Sequence, residues 1–108
     1  MEIHWFGMET FDPLDRSAVE GRLRQLAEGH QDLVDVRVMG HVSAHHRHGD
    51  REVRIACQAR GEDLVVSRNA DELEAAVHEA VDAFERSVRR MREKRRDVRR
   101  RSAPKLAE

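Results

Sequence analysis

At 108 residues, with 38% charged side chains and only four aromatics (Trp5, Phe6, Phe11 and Phe84), the chain fits one domain whose core must be built from Val, Leu, Ile and Ala. Its formal net charge of −1 hides a separation: residues 1 to 85 hold 9 Lys/Arg against 18 Asp/Glu, while residues 86 to 105 hold 11 against 2, so an acidic body carries a basic arm suited to polyanions. The single Cys57 excludes an intramolecular disulfide, no window approaches a membrane span and the N-terminus has no basic or apolar leader, so a cytoplasmic protein is expected.

In chain order, the apolar-rich Glu2 to Met8 predicts a first strand. Asp12-Pro13 then opens a helix, with Asp12 as N-cap, Pro13 at the first helical position and Asp15 placed to reach back to the cap. Val19, Leu23 and Leu26 give that helix one buried stripe, and Gly29 stops it. From Leu33 the period changes to two, with Val34, Val36 and Val38 facing the core and Asp35, Arg37, Met39 and His41 facing away. A polar loop over 42–50 leads into Arg51 to Arg60, where Val53, Ile55, Cys57 and Ala59 point inward. A tight reversal at Gly61-Glu62 precedes a last strand through Leu64, Val65 and Val66.

Asp71 opens the final helix, in which Leu73, Val77, Ala80, Phe84, Val88 and Met91 fall within about 40° of one line at 100° per residue. The next position on that line is Arg95, so the helix is expected to leave its sheet after Met91 and to carry Arg92 to Arg101 beyond it. The order β-α-β-β-β-α predicts an α+β fold: a four-stranded mixed sheet, its first two strands parallel through a right-handed crossover, with two helices packed on one face. Residues 1–101 form the single domain of this reading, and 102–108 a disordered tail.

The chemistry lies in the charges. Arg86, Arg89, Arg90, Lys94 and Arg96 sit off the apolar stripe, where their side chains can track phosphates, and Glu93 and Asp97 cannot neutralise so many cations. A protein-interaction module whose basic helix docks an acidic partner or completes a homodimer, a general structured-RNA-binding protein, and a helix merely solvated and supported by its own i,i+4 pairs remain the alternatives. Arg24 on the first helix joins the basic set by charge and facing. Arg47 and His48, within His45-His46-Arg47-His48, read as an RNA-contacting loop; adjacent histidines there can capture a metal adventitiously, but no designed metal site is expected. Only His4 and Phe6 are candidates for stacking bases on the open sheet face. No serine has a nucleophile-elbow setting, Cys57 sits in an apolar alternation and no Gly-rich phosphate loop occurs, so neither an enzyme, a small-molecule substrate nor a cofactor is expected.

The segments Phe6-Gly7-Met8, the His-rich loop running into Val53-Arg54-Ile55, and above all Ala75-Ala76-Val77 followed by Val81 to Arg90 resemble, in order and spacing, the ribosome hibernation-promoting factors, also called ribosome-associated translation inhibitors and formerly sigma-54 modulation proteins. The resemblance covers Glu2 to about Arg96. It implies a non-enzymatic translation inhibitor of stress and stationary phase that occupies the mRNA and tRNA channel of the small ribosomal subunit. By the same resemblance Arg86, Arg90 and Lys94 match basic positions facing ribosomal RNA on the last helix, and Arg22 matches one on the first. By the same resemblance the chain is expected to be a short form, without the linker and dimerisation domain of the long forms, and a monomer or weak homodimer. The first helix is less basic than the family's, with Gln25 and Glu28 where Lys is common.

Overall fold

The computed structural model of the chain describes residues 1–42 and 49–102, with side chains as far as Arg99. The elements are β1 (Glu2–Phe6), α1 (Pro13–Ala27), β2 (Leu33–Val42), β3 (Arg51–Ala59), β4 (Glu62–Ala70) and α2 (Leu73–Ser102). They form one four-stranded sheet in the order β1-β2-β3-β4, with β1 and β2 parallel and the other two pairs antiparallel. The expected α+β architecture is therefore the observed one.

Local chemistry explains most boundaries. Asp12 caps α1 by accepting a hydrogen bond from the Leu14 N–H at 2.7 Å, and Pro13 fills the first turn, where a missing N–H costs nothing. β1 stops at Phe6, two residues before the predicted end, because Gly7 turns to φ +65° and its backbone lies against Gly40 of β2, where a Cβ would strike the Gly40 carbonyl. Met8 consequently drops into the core rather than continuing the strand. A two-residue turn, Arg60-Gly61 with Gly61 at φ +90°, joins β3 to β4.

One inward position differs from the alternation read in the sequence. The β2–β3 ladder slips between Leu33 and Asp35, leaving Val34 as an extra residue that is 43% exposed, while Leu33 takes the buried place. A bulge shifts every side chain before it to the other face, which simple alternation cannot foresee. Beyond it, Val36, Val38, Val53, Ile55 and Cys57 are buried as predicted, facing Val19 and Leu23 of α1 and Val77, Ala80, Phe84, Val88 and Met91 of α2. Ala76, Val81 and Ala83 widen the buried face of α2 beyond the single line.

The length of α2 sets the shape of the molecule. Thirty helical residues extend roughly 45 Å, against roughly 30 Å for a nine-residue strand, so the helix overruns the sheet. The radius of gyration is 16.5 Å, well above the about 13 Å of a compact domain of this size. Among the described residues no helix is long and apolar enough to cross a membrane.

Candidate nucleic-acid interface

The described cations of α2 fall into two sets, separated by what they touch. Arg86, Arg90 and Lys94, each one turn from the next, are exposed on the outer side of the helix and form no ion pair within 4 Å among the described residues; Arg96 and Arg99 are likewise exposed and unpaired there. Arg86 comes near enough to Asp82 to help hold that carboxyl below the usual range, but the main cause is the hydrogen bond from Arg22. Arg89 is 3.8 Å from Glu85 and still two-thirds exposed.

The second set turns inward. Arg92 makes a two-pronged pair with Asp32, Nε to Oδ2 at 2.7 Å and Nη2 to Oδ1 at 3.0 Å, with both side chains largely buried. That hydrogen bond, more than burial opposes it, lowers the pKa of Asp32. Arg95 donates to the Arg60 carbonyl and lies 3.9 Å from Glu62. Apolar contact with the sheet does end at Met91, yet these two arginines continue the attachment for another turn, so the free overhang begins after Arg95 rather than at Arg92. Sequence periodicity places both in the overhang, because Arg92 lies beside the apolar stripe and reads as solvated while Arg95, on the stripe, has no partner in the pattern; Asp32, just ahead of β2, is the available signal for Arg92.

The remaining candidates divide as follows. Arg22 is clamped between Asp82 at 2.9 Å and Glu85 at 2.8 Å, so its charge ties α1 to α2 and neutralises the acidic residues that precede the basic run. Arg24 is exposed and reaches the Met1 carbonyl at 3.4 Å. Arg47 and His48 lie outside the described residues. His4 and Phe6 do share the open sheet face, their rings stacked at 6.5 Å. Between the loop after α1, the β3–β4 turn and the end of α2 runs a groove of about 980 Å³, lined by His30, Arg60, Arg89, Arg96 and Arg99 among others. Arg60 and Arg99 were not singled out in the sequence. The groove and the outer row together present an arginine-rich surface with a planar donor fork at most positions, the chemistry that binds phosphate.

Cys57 offers no alternative chemistry, since burial above all, reinforced by Asp32, Asp35 and Asp63, pushes its thiol up to about 11.

With this geometry in hand, comparison decides the lineage. The family model described as sigma 54 modulation protein / S30EA ribosomal protein matches residues 3–96. The chain belongs to this family. Two solved structures share the fold at low sequence identity. A ribosomal subunit interface protein from Coxiella burnetii is 13% identical and superposes with a TM-score of 0.67, covering 86% of this chain and 99% of that one. The N-terminal domain of Thermus thermophilus Protein Y is 23% identical with a TM-score of 0.60, covering 83% and 94%. No curated protein sequence matches. Membership in the S30EA family makes the chain a ribosome-associated protein, while identities this low speak for the shared fold alone.

Proposed function

We propose that the chain is a translation inhibitor that binds ribosomal RNA of the small subunit and occupies the channel used by mRNA and tRNA. The observation that carries this is the row Arg86, Arg90 and Lys94, exposed along the outer side of the helix and held in no ion pair within 4 Å among the described residues, with Arg96 exposed on the groove side of the same helix. Such a row holds phosphates by charge and counterion release without reading bases. Family membership supports the ribosome as the polyanion. Inhibition is then steric: the helix carries no chemistry and need only stay in place. Arg24 and Arg89 border the contact, and Arg47 and His48 belong to the proposed contact set by sequence alone. Arg22 contributes through α2, by covering Asp82 and Glu85, which would otherwise repel phosphate beside Arg86 and Arg89.

Occupancy of the channel has a direct test. Small subunits preloaded with mRNA and initiator tRNA should exclude the protein in co-sedimentation, and vacant subunits should retain it. Equal binding to both would place the protein elsewhere on the ribosome and remove the proposed mechanism.

A further inference from the structure

On the open face of the sheet, away from every basic residue of α2, three side chains converge that the RNA-binding reading does not use. We infer that Glu2, His4 and Asp35 form a binding site for a divalent transition-metal ion of the zinc type. Their ligand atoms all lie within 4.8 Å of one another. His4 Nε2 is 3.0 Å from Asp35 Oδ1 and 3.4 Å from Glu2 Oε2. Two ligands bonded to zinc at about 2.1 Å are about 3.0 Å apart at a right angle and about 3.4 Å apart at the tetrahedral angle, so both separations suit neighbouring positions around one ion.

The backbone fixes this convergence. Glu2 and His4 are two apart on β1 and therefore share a face, and Asp35 is the residue opposite Glu2 in the parallel β1–β2 register. Ligands seated on paired strands hold their spacing better than ligands on a loop. His4 is further oriented by its stack on Phe6, and Arg37 Nε engages the other oxygen of Asp35 at 3.3 Å, leaving Oδ1 turned toward the imidazole. That oxygen is the second observation: it is fully enclosed and accepts no hydrogen bond, although the imidazole nitrogen stands 3.0 Å away. An enclosed carboxylate oxygen whose nearest polar neighbour is an imidazole nitrogen outside hydrogen-bond geometry is costly, and a metal ion ligated by both atoms satisfies both. Glu2, the most exposed of the three, completes the set. An imidazole with two carboxylates favours a borderline ion over Mg²⁺ or Ca²⁺, and three protein ligands leave positions for water. The bound ion would pin the five-residue edge strand β1 to β2.

The test is a titration of the full chain with Zn²⁺ alone in a non-chelating buffer at neutral pH, followed by calorimetry and by amide NMR shifts, with three variants. In one, His45, His46 and His48 are all replaced by Gln, which removes the competing histidine run. One ion should bind with shifts centred on β1 and the start of β2, and should survive in this loop variant. His4→Ala and Asp35→Asn should each weaken it by roughly tenfold or more, and neither substitution touches the core. Mg²⁺ in excess should not displace Zn²⁺. Absence of binding, binding lost with the loop histidines, binding undiminished in His4→Ala and Asp35→Asn, or displacement by Mg²⁺ would each overturn the assignment.

Discussion

The Asp32–Arg92 pair is where the protein converts a phosphate-seeking residue into a structural one. Its two hydrogen bonds join the loop before β2 to the point where α2 leaves the core. Asp32→Asn strips the charge from one partner while Arg92 stays largely buried, and should cost about 1–3 kcal/mol in urea unfolding at pH 7. Because the folded-state pKa of Asp32 lies below its unfolded value, the stabilisation is present above the unfolded carboxylate range and is lost as pH falls through the folded pKa. The gap between wild type and Asp32→Asn should therefore narrow in unfolding curves taken from pH 5 down to pH 2. Cys57, its thiol raised to about 11 by burial, should resist iodoacetamide in the native protein at pH 7.5 and react once the chain is unfolded in urea. Alkylation at equal rates in both states would contradict its place in the core. The apolar alternation had already marked Cys57 as packing. It had not marked Arg92, because an ion pair with a partner 60 residues away leaves no periodic trace.

Among the elements, α2 was the most legible and β2 the least. Six apolar residues at helical spacing define the buried line of α2 in the sequence, and five of them, Val77, Ala80, Phe84, Val88 and Met91, are buried. In β2 the bulge after Leu33 reverses the facing of one residue, so Val34 is exposed although Val36 and Val38 are sealed in the core. The difference is measurable. Val34→Ser should change stability by less than about 0.5 kcal/mol, whereas Val36→Ala should cost about 2 kcal/mol or more by leaving a cavity between sheet and helices. Comparable losses in both would place Val34 inside and remove the bulge. The Glu2–His4–Asp35 cluster was equally hidden, since two members are neighbours on one strand while the third meets them only through the parallel register.

At the scale of the molecule, the charge separation read from composition survives folding, but not all of the basic run is free. Asp32 and Glu62 draw Arg92 and Arg95 back to the body, whereas Arg86, Arg90, Lys94, Arg96 and Arg99 keep their charge exposed along a helix that outruns its sheet. The fold class and the candidate helix could thus be read in the sequence, while the division of its arginines into anchors and contacts required tertiary partners. The most direct measurement is the affinity for purified small subunits as a function of salt. For the wild-type protein log Kobs should fall steeply and linearly with log salt concentration. Replacing Arg86, Arg90 and Lys94 by Ala should weaken binding and lower that slope by roughly 2 to 3 units. Replacing Arg92 alone should leave the slope nearly unchanged. A triple variant with the wild-type slope would contradict the central claim, because the cations that hold the ribosome would then lie elsewhere.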